Sequence, residues 1–240
     1  TSHHTMSNTR MIRNMKKKGV VNGKNFTHVS MGKIKGKFQI DRKDMEEFWD
    51  GYLNCVNDSQ EASIAEISQP FLPVMGDIDI KIRETDDRSF DDKIHTPKHI
   101  IETVRVYQSV LRKTIQNCTD EHLICVVLEK PLYKINKNGI IYSKHGFHLH
   151  FPYCFLNKIH QEVHIIPNVQ REIKDLQTFK DIYFDDSSKV IDSSICKVPW
   201  LMYGSSKSSG MKPYLVTKIY NHQLGTLTLE EAFEKYIIYN

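Results

Sequence analysis

The stretch 72–82 has the alternation of hydrophobic and polar residues that is typical of a β-strand. With a two-residue period, Ile78 and Ile80 belong to one face of the strand and suit a buried core. Asp77 and Asp79 belong to the other face and lie about 7 Å apart along the strand. Carboxylates this close repel each other, and a divalent cation with oxygen ligands relieves that repulsion. A strand whose polar face is simply solvated has the same pattern, so the rest of the chain must supply the other half of a site.

Other hydrophobic patterns predict the elements around this strand. Apolar residues at helical spacing predict helices at 42–56, 97–115, 158–177 with a break at Pro167, and 229–238. Short apolar or alternating runs predict extended segments at 37–40, 122–128, 140–142, 147–151, 189–192, 200–203 and 214–220. The order β-α-β-β-α-β from residue 72 to residue 220 predicts one antiparallel or mixed sheet with helices on a face, which is an α/β (α+β) fold.

The length of 240 residues fits one large domain or two closely packed small ones. Residues 1–25 are basic, and we interpret them as a flexible arm that starts with the remnant of an expression tag. We assign residues 26–240 to a single domain. It consists of an N-terminal α/β module at 26–70, the sheet at 71–220 and a terminal helix within 226–240.

Composition and charge exclude some classes of protein. No apolar run approaches the roughly 20 residues that a membrane span needs, and no secretion signal is recognisable. The five cysteines form no Cys-x-x-Cys pair, which argues against a structural zinc site and for reduced thiols in a cytoplasmic protein. The net charge of +4 permits a polyanionic partner without requiring one.

A second informative stretch begins at Ser143 and combines a strand pattern with donors for phosphate oxygens. Alternation places His148 and His150 on one face and the apolar residues between them on the other. Gly146 leaves room for a ligand to approach the backbone. Ser143 and Lys144 supply a hydroxyl and an ammonium group. A lone histidine on a strand is usually structural. Its presence in this run, in a chain that also has the Asp-x-Asp strand, makes a functional role as frequent as a structural one and leaves the choice open.

A third stretch begins at Val190. Its Asp192 ends an apolar pair as Asp77 does and is therefore a candidate third metal carboxylate. A small donor-rich turn follows, in which a glycine precedes Ser205, Ser206 and Lys207. Such a turn is a candidate binding site for phosphates. An ordinary solvent-exposed turn has the same composition. Spaced acids with a histidine and a lysine fit metal-assisted phosphoryl transfer. In that chemistry two Mg²⁺ or Mn²⁺ ions hold the attacking hydroxyl and the leaving pyrophosphate.

Together the three stretches resemble a known family. Three segments are similar to motifs of archaeo-eukaryotic primases. They are Met-Gly-Asp-Ile-Asp at 75–79, Lys-His-Gly-Phe-His at 144–148 and Val-Pro-Trp-Leu-Met-Tyr-Gly-Ser-Ser-Lys at 198–207. Their local forms look closest to the primase domain of the poxvirus-type primase–helicases of nucleocytoplasmic large DNA viruses, over about residues 26–220. The resemblance implies an archaeo-eukaryotic primase fold with an RRM-like β-α-β-β-α-β catalytic sheet.

The resemblance also implies roles for single residues. Asp77, Asp79 and Asp192 would bind the catalytic Mg²⁺ or Mn²⁺ ions, and His148 would be the catalytic histidine that contacts the phosphates of the incoming nucleotide. The nucleotide-binding residues would be Ser143, Lys144, His148, Lys197, Ser205, Ser206 and Lys207.

Two features of the chain depart from the family pattern. Relatives often have an arginine at the position of Leu201, so the triphosphate would be bound by a different set of residues here. The Ser-x-His form of the second motif also fits Ser143 with His145, which leaves a choice between His145 and His148. The strand pattern that follows favours His148.

The resemblance implies a DNA-directed primase or primase-polymerase, a nucleotidyltransferase that joins nucleoside triphosphates into primers on a single-stranded DNA template. It also implies a C-terminal helicase domain in the complete protein and a location in the host cytoplasm or at the viral replication site. The residues leave two other classes open. One is a metal-dependent hydrolase or oxygenase that holds Fe or Zn with His148, His150 and Asp77. The other is a non-catalytic replication-initiation module that binds DNA through its charge.

Overall fold

The computed structural model describes residues 8–18, 25–32, 35–58, 60–182, 187–208 and 210–233. The helices are α1 (Asn8–Lys18), α2 (Arg42–Asn57), α3 (Pro97–Thr114), α4 (Lys158–His160) and α5 (Ile166–Leu176). The strands are β1 (His28–Ser30), β2 (Gly36–Phe38), β3 (Ile64–Glu66), β4 (Phe71–Arg83), β5 (Cys125–Glu129), β6 (Tyr133–Lys137), β7 (Ile140–Asn157), β8 (Trp200–Leu201) and β9 (Leu215–Tyr220).

The chain folds as two compact units. The first unit comprises Thr1–Gln69 and Lys197–Tyr214, and the second comprises Pro70–Cys196 and Leu215–Asn240. The α/β fold class predicted from the sequence is confirmed, but the boundary of the N-terminal module differs from the predicted 26–70. The chain returns to the first unit because β8 pairs with β3. Local sequence patterns do not predict this long-range contact.

The first unit is built on an antiparallel sheet with the strand order β2-β1-β3-β8. Phe48 and Tyr52 of α2 pack in its core. Met11, Ile12 and Met15 of α1 are buried in the same core. The prediction of a flexible arm is therefore wrong for residues 8–18, where an apolar stripe at helical spacing is hidden among basic residues. Residues 1–7 and 19–24 lie outside the described residues.

The second unit is built on an antiparallel sheet with the strand order β4-β7-β5-β9, in which β6 also pairs with β7. The predicted strands at 72–82 and 214–220 are confirmed as β4 and β9. The segments predicted at 140–142 and 147–151 are parts of one long strand, β7. Strand β6 was not predicted, although the Asn138-Gly139 dipeptide that follows it, with φ values of 54° and 83°, is the usual turn of a tight hairpin.

Helices cover one face of this sheet. Thr96 caps α3 together with His99, and the ring of Tyr107 from α3 lies 5.8 Å from the ring of Phe151 on β7. Gly76 makes room for this packing, since a Cβ atom there would lie 2.8 Å from the hydroxyl oxygen of Tyr107. The large apolar side chains that are fully buried in this unit include Ile78, Ile80, Leu111, Phe147, Leu149 and Phe179.

Two other predictions need correction. The helix at 158–177 does not break at Pro167 but runs from α4 through a π turn at Gln161–Ile165 into α5. Pro167 then lies in the first turn of α5, where its missing N–H is tolerated. Residues 189–192 are not an extended segment: Ser187–Val190 form a 3₁₀ turn, and only Ile191 pairs with β4.

The last predicted helix is only partly within the described residues. Residues 229–233 are helical, and the predicted capping box is confirmed because the amides and side chains of Thr228 and Glu231 bond reciprocally at 3.1 Å. Residues 234–240 lie outside the described part. None of the helices in the described ranges is both long and apolar enough to cross a membrane.

Candidate functional site

The register of β4 and β7 determines which residues share the polar face of the sheet. Asp77 lies opposite His148 and Asp79 lies opposite Gly146. Directly opposed residues of an antiparallel pair project to the same side, so this side, the carboxylate face, carries both acids. The carboxylate face comprises Asp77, Asp79, Lys144, Gly146, His148 and His150.

Two cationic or titratable side chains contact the carboxylates across the strands. His148 Nε2 lies 3.4 Å from Asp77 Oδ1, and Lys144 Nζ lies 3.7 Å from Asp79 Oδ1. Burial opposes the charge on Lys144, but the nearby Asp79 and Tyr133 outweigh this effect and raise the pKa of Lys144. The side chain of Asp79 is 50% exposed, whereas that of His148 is 10% exposed. The site is therefore open to solvent at Asp79 and closes toward His148.

Asp192 is held directly against the middle of β4. Ile191 pairs with Ile78, and the main-chain N–H of Asp192 donates to the carbonyl oxygen of Asp77 at 2.9 Å. The side-chain amide of Gln170 donates to the carbonyl oxygen of Ile191 at 3.1 Å and fixes the segment from the other side. The structure thus brings all three predicted acids to one region of the second unit.

The carboxylate of Asp192 accepts hydrogen bonds within its own turn. Its Oδ1 atom accepts hydrogen bonds from the main-chain N–H of Ser194 at 2.8 Å and from the Ser194 hydroxyl at 2.7 Å. This turn holds the backbone of Asp192 in place and orients its side chain.

A cavity of about 460 Å³ lies beside these acids in the second unit. Asp79 and Asp192 contribute carboxylates to its wall, and Lys81 and Lys189 contribute ammonium groups. Neither lysine was among the site residues predicted from the sequence. The alternation that places Asp77 and Asp79 on one face also places Lys81 there, but Lys189 has no comparable signal because it lies in an irregular turn.

The structure separates the two candidate histidines. His145 lies opposite Ile80 on the helix-covered face, where its Nδ1 accepts the main-chain N–H of Ile94 at 2.9 Å and its ring stacks on His95 at 3.8 Å. Burial, and next the neighbouring His95, lower the pKa of His145 to about 4. His145 is therefore a buried structural residue, and His148 is the histidine beside the acids.

The predicted place of Ser143 beside His148 is wrong. Ser143 lies opposite Ile82 on the helix-covered face, is fully buried, and donates its hydroxyl to Glu84 Oε1 at 2.7 Å. Glu84 also pairs with Lys134 at 2.7 Å. Ser143 thus belongs to a structural network, whereas its neighbour Lys144 lies on the carboxylate face.

Gly146 has a structural reason to be glycine. A Cβ atom there would lie 2.2 Å from the carbonyl oxygen of Ile78 on the paired strand. The close approach that we attributed to a ligand is made by β4 itself.

The predicted phosphate cradle lies in the first unit. The Ser205 hydroxyl is buried, lies 2.8 Å from the Tyr52 hydroxyl and accepts the main-chain N–H of Ile64 at 3.0 Å. Ser206 is also buried, and its N–H donates to the carbonyl oxygen of Ala62 at 2.8 Å. The burial of both serines, together with the bonds of the Ser205 hydroxyl, argues against the predicted role of Ser205 and Ser206 in binding phosphates. Lys197 and Lys207 are exposed residues of the same unit.

The donor chemistry of Asp77, Asp79 and the adjacent Asp192 fits a hard divalent cation, because their side chains offer only carboxylate oxygens. Across the described ranges, however, no three His, Cys, Asp or Glu side chains are grouped so that they could hold a metal ion. His150 shares the face with His148 but lies opposite Met75 and Val126, and burial lowers its pKa to about 4.

Comparison with known families matches residues 27–220 to the domain described as "C962R protein N-terminal AEP domain", where AEP stands for archaeo-eukaryotic primase. "Putative helicase 121R" of Invertebrate iridescent virus 3 is 33% identical over 217 residues, which are 87% of this chain and 22% of the relative. "Putative helicase 184R" of Invertebrate iridescent virus 6 is 31% identical over 226 residues, or 89% of this chain and 23% of the relative.

"Putative helicase 022R" of Frog virus 3 is 22% identical over 209 residues, or 86% of this chain and 20% of the relative. The chain therefore spans about a fifth of the length of these curated relatives. The matched family covers most of the chain, including Asp77, Asp79, His148 and Asp192. The chain belongs to the archaeo-eukaryotic primase family of this C962R type.

Proposed function

We propose that this protein is the nucleotide-joining part of a viral replication protein, a primase or primase-polymerase that makes primers on single-stranded DNA from nucleoside triphosphates. The observation that supports it is the meeting of Asp77, Asp79, Asp192 and His148 in one region of the second unit. Family membership supports the same reaction class.

Asp77, Asp79 and Asp192 would hold Mg²⁺ or Mn²⁺, with one or two carboxylates to an ion and the remaining ligands from water and substrate phosphates. When bound, such ions neutralise developing charge and lower the pKa of the attacking hydroxyl. The chain's own residues bind and orient the nucleotide: His148 and Lys144 offer donors on the carboxylate face, and Lys81 and Lys189 offer ammonium groups in the adjoining cavity. Catalysis of this kind depends mainly on positioning and charge.

The geometry favours this reaction over an Fe or Zn hydrolase or oxygenase. Catalytic Zn sites use about three protein ligands, whereas Mg²⁺ keeps waters and binds through one or two carboxylates and the substrate's phosphates. The described residues include no three-ligand group, and His150 does not face Asp77 across the strands. Tightly retained Fe or Zn in the purified protein would reverse this ranking.

The helicase names of the relatives, together with the small share of each that is matched, support a second part of the proposal. In the complete protein this domain would be joined to a helicase domain. The helicase would expose the single strand on which the primase acts.

Primer synthesis on unprimed single-stranded DNA with Mg²⁺ or Mn²⁺ tests the proposal. We expect the wild-type protein to make primers. The rate of primer synthesis by Asp77→Asn/Asp79→Asn should be at least about 100-fold lower. Asp86→Asn/Asp87→Asn is the matched control, because it removes two exposed carboxylates from the loop after β4. Full activity in the Asp77/Asp79 variant would overturn the site assignment. DNA binding with no nucleotide-dependent Mn²⁺ uptake would instead favour the non-catalytic module.

A further inference from the structure

Beyond the acids, the carboxylate face continues into a basic surface. The alternation along β4 that exposes Asp77 and Asp79 goes on to expose Lys81 and Arg83. Lys81 lies opposite Lys144, and Arg83 lies opposite Tyr142. The charge along one strand therefore changes from negative to positive at a single step.

The hairpin of β6 and β7 widens this surface. Tyr133 lies opposite Lys144, and Lys137 lies opposite Ile140, so both project to the carboxylate face. We call this set the basic hairpin surface. It consists of Lys81, Arg83, Tyr133, Lys137, Tyr142 and Lys144.

Lysines and tyrosines alternate on the basic hairpin surface. Lys81 Nζ lies 4.5 Å from the centroid of the Tyr142 ring, and Lys144 Nζ lies 5.9 Å from that of Tyr133. Such contacts hold ammonium groups at fixed positions while leaving them charged. Cations interleaved with aromatic rings are typical of surfaces that bind single-stranded nucleic acid.

The cations of the surface are close enough to repel one another. The pKa of Lys137 is lowered, mainly by the neighbouring ammonium group of Lys81 and more weakly by that of Lys144. On the opposite face of β6, by contrast, Lys134 is paired with Glu84 at 2.7 Å. A group of like charges on exposed side chains is relieved when an anion binds among them.

The shape of the surface selects the kind of anion. Arg83 is four residues from Asp79, which corresponds to about 13 Å along the strand. The cations Lys81 and Arg83 lie in the outer part of this distance, about 7 Å apart. Lys144 and Lys137 add cations on the neighbouring strands, so the surface fits an anion with successive charges better than it fits one compact phosphate group.

We propose that the basic hairpin surface binds the phosphate backbone of a single-stranded nucleic acid and leads it to the acids on the same face. This assignment rests on the proposed function for the direction of the strand, but binding itself does not require catalysis. Sequence specificity is not expected, because phosphate contacts carry no base information.

Binding of a fluorescent single-stranded oligodeoxynucleotide to the 240-residue protein, measured by anisotropy over a range of salt, tests the proposal. We expect Arg83→Ala/Lys137→Ala to weaken binding roughly tenfold and to lower the slope of log K against log salt by about 1.4, or 0.7 for each phosphate contact. Lys98→Ala/Lys174→Ala is the matched control, since it removes two exposed lysines from the helix layer of the same unit, and it should bind like wild type.

A second measurement is independent of substitutions. Ultraviolet cross-linking of a bromodeoxyuridine oligonucleotide, followed by mass spectrometry, should label the peptides that contain Tyr133 and Tyr142. Three results would overturn the proposal. The first is wild-type DNA affinity in Arg83→Ala/Lys137→Ala, and the second is cross-linking confined to other peptides. The third is binding of duplex DNA with the same affinity and the same salt slope as single-stranded DNA.

The failures of the two proposals are distinguishable. If primers are made but the hairpin variant binds DNA like wild type, only the basic hairpin surface is wrong. If no primers are made under any condition but the hairpin variant loses DNA binding, only the enzymatic proposal fails.

Discussion

The main-chain N–H of Asp192 donates to the carbonyl oxygen of Asp77 at 2.9 Å, which joins two acids that are more than a hundred residues apart in the chain. The bond is between backbone atoms, so it fixes the place of Asp192 whatever its side chain does. Its carboxylate is held separately, by the N–H and hydroxyl of Ser194. Position and charge at residue 192 can therefore be changed independently.

This separation leads to a prediction for two substitutions of Asp192. Asp192→Asn keeps an oxygen that accepts from Ser194 but removes the charge, so we expect primer synthesis to fall about 100-fold or more while the melting temperature stays close to wild type. Asp192→Ala removes the acceptor as well, and we expect it to lose both activity and about 1 kcal/mol of stability. Thermal melts and primer assays on both variants check this. Full synthesis by Asp192→Asn would contradict it.

The face of each residue on β4 could be predicted from the sequence, because an uninterrupted two-residue period decides it. The face of Ser143 could not, because the sequence suggested separate strands at 140–142 and 147–151. In the single strand β7, residues an odd number apart lie on opposite faces. Ser143 and His145 are five and three residues from His148, so both belong to the face opposite the acids.

Neighbouring residues on β7 should therefore respond differently to substitution. Ser143→Ala removes a buried hydrogen bond to Glu84, and we expect a loss of about 1 kcal/mol of stability with an unchanged KM for the nucleoside triphosphate. Lys144→Ala removes the ammonium group beside Asp79, and we expect a raised KM with a small effect on stability. Denaturant unfolding and steady-state kinetics separate the two effects. A raised KM in Ser143→Ala would restore the original assignment of this serine.

Long-range placement is the part of the fold that the sequence did not predict. Ser205 follows a glycine in a donor-rich turn, which suggested phosphate binding, but its hydroxyl bonds to Tyr52 and Ile64 of the first unit. Helix α1 was missed for a related reason, since its basic residues dominate the composition of the segment. In both cases the local pattern is ambiguous, and a distant contact decides the structure.

The buried histidines predict a dependence of stability on pH. His145 has a pKa of about 4 in the folded protein against 6.5 in the unfolded chain, so the unfolded state binds more protons between these values. The free energy of unfolding is therefore unaffected by His145 above pH 6.5 and decreases as the pH falls toward 4. One such group lowers it by at most about 1.4 kcal/mol per pH unit. His28 and His150 have the same low pKa for the same reason, burial, and act in the same direction.

His145→Asn isolates the share of one histidine. The amide oxygen of asparagine can still accept the N–H of Ile94, but it does not titrate. Urea unfolding at several values between pH 7 and pH 5 should show a smaller loss of stability for His145→Asn than for wild type. Carboxylates such as Glu129, whose pKa is lowered mainly by its bond to His95, lose their contribution below this range. Identical pH profiles would contradict the prediction.

His148 and His145 offer a comparison within one strand. His148 Nε2 is 3.4 Å from Asp77 Oδ1 on the face that carries the acids, whereas His145 accepts a backbone N–H on the opposite face. If His148 contacts the phosphates of the nucleotide, His148→Gln should lower primer synthesis by about 100-fold, which is typical when a positioned histidine is lost. Its melting temperature should change little, because glutamine places a polar side chain of similar length beside Asp77 at this largely buried position.

His145→Asn is the control for this experiment, since it alters a histidine three residues away without altering the carboxylate face. At pH 7.5 His145 is neutral in the folded protein, so its replacement should leave the synthesis rate near wild type. Separate measurement of kcat and of the KM for the triphosphate shows whether His148 acts on binding or on the rate. An equal loss in both variants would mean that the strand, and not the side chain of His148, is what the reaction requires.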